Sequence, residues 1–196
     1  MTYPLRLSGQ RVVLREFTLD DVDDALRIIG DDGVTRFLSF DSRSRDEAQA
    51  MIEGAVRRAQ ESPRTEFYLA VARPDDDSMI GFARVAFAGV KAGKLGYAIA
   101  ADAWGQGYAT DAARTLTDFA FRVLQLHRVS AAIGPENTAS ITLVDRLGFT
   151  REGVLRDHVF TNGSWRDSVL YSVLEHEWQR QYKATGSANT QALGGP

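Results

Sequence analysis

One short segment restricts the fold more than any other. In residues 94–100, KLGYAIA, a strand would set Leu95, Tyr97 and Ile99 on one side and Gly96, Ala98 and Ala100 on the other. A strand that is bulky on one face and nearly bare on the other lets another molecule lie close to its backbone. Directly after it, Gly105-Gln106-Gly107 leads into a 3.6-residue repeat carried by Ala109, Ala112, Ala113, Leu116, Phe119, Ala120 and Val123. Glycines at that junction free the backbone to present successive N–H groups at a helix N-terminus, where the dipole favours an anion such as a pyrophosphate. The plainer alternative is a strand-to-helix turn with Ala98 and Ala100 as ordinary core. The third glycine of a dinucleotide fingerprint is missing, its place falling at Thr110, and no Gly-Lys-Ser/Thr follows. Rossmann and P-loop readings therefore fail.

The elements around this segment follow from period and punctuation. Residues 11–17 form a first strand. Thr18 opens a capping-box-like turn into a helix with Val22, Ala25, Leu26 and Ile29 on one stripe, closed by Gly30 and the Asp31-Asp32-Gly33 turn. Ser44-Arg-Asp-Glu47 caps a second helix, which ends before Pro63. Strands at 67–72, 79–87 and 94–100 precede the long helix. Strand 128–133, helix 137–147, strand 149–160, the Asn162-Gly163 hairpin turn and strand 165–174 follow it. An antiparallel run followed by β-α-β units predicts an α/β (α+β) domain: a mixed, mostly antiparallel sheet of about seven strands with helices on both faces. One domain spans 1–183, and the small, polar residues 184–196 are expected to be disordered.

Composition removes whole classes of function. The 196 residues contain no cysteine, which excludes a disulfide scaffold, a zinc ribbon and a cysteine nucleophile, and the three histidines form no ligand-spaced pair. No metal site is expected. A net charge of −3 gives no electrostatic grip on nucleic acid. No apolar run is long enough for a signal peptide or a membrane span, so a cytoplasmic protein with no membrane partner is expected.

Gly105-Gln-Gly-Tyr-Ala-Thr-Asp-Ala112, Asn137-Thr-Ala-Ser140, Leu147-Gly-Phe149, Glu152-Gly153 and Asn162-Gly-Ser-Trp-Arg-Asp167 stand in one order over nearly the whole chain. Together they resemble the GNAT acyltransferases, and among these the RimJ/RimL-type N-acetyltransferases. The resemblance implies a GNAT fold with a strand splayed beside acetyl-CoA as co-substrate. Ala98, Ile99 and Ala100 match the backbone positions beside the pantetheine arm. Gly105, Gln106, Gly107, Tyr108, Ala109 and Thr110 match the pyrophosphate loop, and Asn137 and Ser140 match further contacts to the arm. Trp104 departs from the usual Gln or Arg at its place, which backbone recognition leaves immaterial.

Acetyl transfer needs a neutral amine, an acceptor for its proton, donors for the carbonyl oxygen and a hydrogen for the departing thiolate. The tyrosine that often serves the thiolate is matched here by Val144. The resemblance to RimL-like relatives implies Ser140 instead, whose plain alternative is a first-turn residue on a helix capped by Asn137. The glutamate proposed as base is matched by Val159, which leaves His158 and Asp157. Neighbouring strand residues face opposite ways, so at most one of the two points inward; water or a solvent-exposed histidine is the bland alternative. The acids Asp20, Asp21, Asp23, Asp24, Asp31 and Asp32 are either an amine-attracting rim or helix-end and solubility charge. The implied activity is direct acetyl transfer to a primary amine: a protein N-terminus, an aminoacyl or peptide compound, or a small amino antibiotic, by a monomer or homodimer. The rivals are a non-catalytic acyl-CoA sensor of the same fold and a nucleotide-binding α/β module.

Overall fold

A computed structural model describes residues 3–180. The expected tail, 184–196, lies outside the described residues. Eight strands form one sheet in the order β1-β2-β3-β4-β5-β6-β8-β7. They are β1 (Arg6–Ser8), β2 (Val13–Arg15), β3 (Glu66–Ala72), β4 (Met79–Phe87), β5 (Ala92–Ile99), β6 (Arg128–Ile133), β7 (Thr150–Thr161) and β8 (Ser164–Leu174). Every neighbouring pair is antiparallel except β5 and β6, which are joined by the crossover helix α4 (Tyr108–Arg122). The fold class agrees with the expectation, with β1 as an additional edge strand that carries one apolar residue, Leu7, and so gives almost no alternation to read.

Two cores lie on opposite faces of the sheet. On one face Leu116, Phe119 and Ala120 of α4 and Val144 of α5 (Thr138–Arg146) pack against Val85, Leu95, Ile99, Val129 and Ala131. On the other, Ala25, Ile28 and Ile29 of α1 (Val22–Ile29) and Ala48, Ile52 and Ala55 of α3 (Arg45–Ala59) pack against Phe17, Ala70, Met79 and Phe82. Between α1 and α3, α2 (Asp32–Thr35) replaces the simple turn expected there, because Asp31 caps it by accepting from the Gly33 amide at 2.7 Å. Ser44 and Glu47 form the expected capping box at the start of α3.

The first regular strand is shorter than the sequence pattern suggests, for a specific reason. The Asp111 carboxylate, 3% exposed in the first turn of α4, accepts the backbone N–H of Arg11 at 2.7 Å and of Val12 at 3.2 Å. These amides are taken by a side chain rather than by a ladder, so β2 begins only at Val13. The same contact fastens the start of α4 to the sheet. Asp111→Ala is expected to leave buried amide hydrogens without an acceptor and to lower stability by about 1–3 kcal/mol. Urea unfolding would show this as a lower midpoint at unchanged slope; an unaltered midpoint would contradict it.

Candidate active site

The site begins where two strands part. β5 pairs with β6 at Ala92↔Arg128, Gly93↔Val129 and Lys94↔Ser130, and there the ladder stops. β5 continues to Ile99 paired with β4, while β6 continues to Ile133 paired with β8. Between them opens a wedge whose edges carry backbone groups with no strand to receive them. In the antiparallel β4–β5 ladder alternate residues turn their N–H and C=O toward the partner. Ala100 does so, donating to the Ile80 carbonyl at 2.9 Å, so Tyr97 and Ile99 present theirs to the wedge. One of these is already taken, because the Trp104 indole Nε1 donates to the Ile99 carbonyl at 2.7 Å. Trp104 therefore has a job that its departure from the family pattern concealed: it fixes the end of the splayed strand.

The bare strand face is not what makes β5 approachable. Ala98 and Ala100, 6% and 1% exposed, are packed with the core under α1 and α3. The ordinary-core alternative holds for these two side chains. A Cβ added at Gly96 would meet nothing within 4 Å, so only there is the bare face open. Access to the strand comes from the missing neighbour.

At the far end of β5, the exposed loop Trp104–Gln106–Gly107 leads into α4. Gly105 (φ 75°) and Gly107 (φ 82°) both lie in the left-handed region that glycine tolerates best. Gly107 is the N-cap of α4, and no side chain caps that end. The first helical bond runs from the Asp111 amide to the Gly107 carbonyl, which leaves the amides of Tyr108, Ala109 and Thr110 without acceptors inside the helix. By contrast, α2, α3 and α5 are capped by Asp31, Ser44 and Asn137. A Cβ at Gly107 would lie 3.5 Å from the Arg11 Cδ, an ordinary contact that places the Arg11 side chain beside this helix end. An uncapped helix end beside a guanidinium is chemically suited to a pyrophosphate. The Gln106 side-chain amide reaches back toward the Asp102 carbonyl at 3.5 Å.

A cavity of about 760 Å³ runs from the wedge across the opposite sheet face, lined by Tyr97, Asn137, Ser140 and His158 among others. Asn137 caps α5 by accepting from the Ser140 amide at 3.1 Å, so the structural role foreseen for Ser140 is real. Its hydroxyl nevertheless borders the cavity, against the buried Tyr97 hydroxyl, which burial pushes up to about 12. Asp157 and His158 both lie within the bulge between Leu155 and Val159. Asp157, at φ 48°, is exposed and its amide donates to Asp167. His158 turns inward, half-buried, with Nδ1 3.0 Å from the Ser168 hydroxyl. Burial and then the Lys94 ammonium hold its imidazole below the usual range.

The acidic residues around α1 are mostly engaged structurally. Asp21 receives Arg15 through two 2.8 Å bonds, Asp24 accepts the Met79 amide, Asp23 pairs with Arg45, and Asp31 and Asp32 bond Gly33 and Ser42. None of the six lines the cavity, and Asp20 alone of them makes no such contact among the described residues. The sequence patterns also gave no sign of Asp111, Arg11, Trp104, Tyr97 or Lys94 as site residues; only the parting of β5 and β6 brings them into play. Among the described residues no cluster of three or more potential ligands is placed to hold a metal, and no helix is long and apolar enough to cross a membrane.

Comparison with known proteins bears on family and fold. Residues 11–150 match the family model of the acetyltransferase (GNAT) domain. The chain is 30% identical over 175 residues to the p20 N-acetyltransferase of Bacillus licheniformis, covering 88% of this chain and 97% of that one. Over 115 residues, 57% of this chain and 59% of the relative, it is 33% identical to the ribosomal protein uS5-alanine N-acetyltransferase of Escherichia coli. The fold is similar to that of Mycobacterium smegmatis RimJ in complex with CoA-disulfide, with a TM-score of 0.79, 22% identity and coverage of 94% of this chain and 96% of that one.

The environment of His158 generates a direct expectation. Titrated by NMR, its imidazole should have a midpoint below the ordinary value of about 6.5, and Lys94→Ala should move that midpoint upward by removing a like charge. A midpoint at or above the ordinary value, or one indifferent to Lys94, would contradict the arrangement.

Proposed function

The chain belongs to the GNAT acetyltransferase family and is an acetyl-CoA-dependent N-acetyltransferase, and we propose that its acceptor is a primary amine at a peptide or protein N-terminus rather than a polycation. One observation carries this choice of acceptor: the charge balance of the groove. Its carboxylates are all engaged. Glu47 pairs with Arg43, Glu66 with Arg58 and Arg84, Glu136 lies 3.9 Å from Arg166, and Asp167 accepts the Asp157 amide. Lys94, where the wedge opens, has no carboxylate partner among the described residues and leaves the groove with a surplus positive charge. A polyamine would find only Asp167 without a cationic partner there, and a like charge on the floor. An N-terminal amine in its neutral form meets neither penalty, and the likeness to the uS5-alanine acetyltransferase supports the same acceptor class.

The residues divide the work by their chemistry. The amides of Tyr108, Ala109 and Thr110, with Arg11, would hold the pyrophosphate, and the wedge edge of β5 at Tyr97 and Ile99 would receive the pantetheine arm, with Asn137 and Ser140 at its far end. The amine nitrogen attacks the acetyl carbonyl carbon, the C–N bond forms, and the C–S bond breaks with its electron pair leaving on sulfur. His158, kept neutral by burial and by Lys94, accepts the proton that the amine loses. The Ser140 hydroxyl offers a hydrogen bond to the departing sulfur. The cytoplasmic location and a monomeric or homodimeric state belong to the same proposal.

Free-thiol release with matched peptide amides, Ala-Glu, Ala-Ala and Ala-Lys, tests the acceptor. The lysine-containing peptide should be the poorest by about fivefold in kcat/KM, the scale of one partly solvated charge contact near 1 kcal/mol. Lys94→Glu should reverse the order. An unchanged ranking in that variant, or spermidine as the best acceptor of the wild type, would overturn the assignment.

A further inference from the structure

Tyr97 carries a feature that packing does not explain. Its hydroxyl is buried and lacks a hydrogen-bond partner of good geometry among the described residues. Phenylalanine would fill the same volume without burying an unpartnered hydroxyl, a cost that native proteins ordinarily avoid. The oxygen lies against Ser140, and both side chains line the cavity at the wedge. Tyr97 shares its strand face with Leu95 and Ile99 and packs at the margin of the core that α4 and α5 cover, which is where α5 carries Ser140.

Ser140 has the complementary need. Its backbone is fixed, since its amide is held by Asn137 Oδ1. Its hydroxyl is a free rotor with one hydrogen and two lone pairs. Helical serines and threonines commonly donate that hydrogen to the carbonyl one turn back, as Thr142 does to Thr138 at 2.8 Å in the same helix. Ser140 makes no such bond, so its hydrogen is not consumed by the helix.

We infer that Tyr97 is a positioning residue: its hydroxyl donates to Ser140 Oγ and thereby directs the Ser140 hydrogen into the cavity, toward the sulfur that leaves. The inference rests on the acetyl-transfer reading above. Tyr97 gives up no proton in the step; it remains a neutral donor while the C–S electron pair moves onto sulfur and Ser140 donates to it. A high hydroxyl pKa is what such a role needs, because the donor then stays protonated across the working range.

The test is Tyr97→Phe, alone and combined with Ser140→Ala, read by thermal unfolding and steady-state kinetics on the full chain. Tyr97→Phe should leave the melting temperature unchanged or raised, keep the KM for acetyl-CoA within about threefold and lower kcat by about tenfold. In the Ser140→Ala background it should cost nothing more, since its effect passes through that hydroxyl. Full kcat in Tyr97→Phe, or multiplying losses in the double variant, would overturn the inference while leaving the acetyltransferase reading intact. A marked drop in melting temperature would instead make Tyr97 a stability residue. Failure of the wild type to release thiol with any amine would remove the reading itself, and the inference with it.

Discussion

The end of the β5–β6 ladder at Lys94 and Ser130 is the constraint on which the site depends. A sheet that stops pairing in its middle exposes two polar backbone edges, and such edges are stable only if something receives them. The protein meets part of this need itself, with the Trp104 indole on the Ile99 carbonyl. What is left forms a slot of backbone donors and acceptors that an amide-bearing arm can fill. The wedge stays open because each half of the sheet remains paired on its outer side, β5 to β4 and β6 to β8. Side chains from both halves, Leu95, Ile99, Ala131 and Ile133, share one core with α4 and α5 beneath the gap.

The same geometry organises the charges. The loop after β5 needs left-handed glycines to turn into α4, and a glycine cap leaves the helix amides free. Asp111 then ties that helix to the start of β2 through the Arg11 and Val12 amides, which brings Arg11 beside Gly107. On the other side of the sheet, Lys94 stands close enough to His158 to disfavour the imidazolium. In the proposed reaction an electropositive floor serves two ends: it keeps the proton acceptor neutral and it discriminates against acceptors that bring further positive charge.

Much of this was legible in the sequence because it rests on local pattern. The helical stripes of α1, α3 and α4, the Ser44 and Asn137 caps, and the Asn162-Gly163 turn each depend on neighbours within a few residues. The glycine junction was readable for the same reason. What could not be read depends on distant partners. No local signal says that Asp111 takes amides a hundred residues away, that Trp104 folds back onto Ile99, or that the parting strands bring Tyr97 to Ser140. The bare face of β5 misled in a useful way: alternation correctly placed Gly96, Ala98 and Ala100 on one side, but only tertiary structure shows that α1 and α3 cover the two alanines. Likewise the bulge before Val159 decides between His158 and Asp157, and a strict two-residue period cannot contain a bulge.

The central claim is that the wedge and the uncapped helix end together form one binding slot for an acyl-CoA. Calorimetric titration of the wild-type protein with CoA and with ADP, which lacks the pantetheine arm, tests it most directly. The account predicts that CoA binds and that ADP binds about tenfold more weakly or worse, a difference of about 1.4 kcal/mol or more contributed by the β5 edge. No heat with millimolar CoA, or equal affinity for the two ligands, would contradict it.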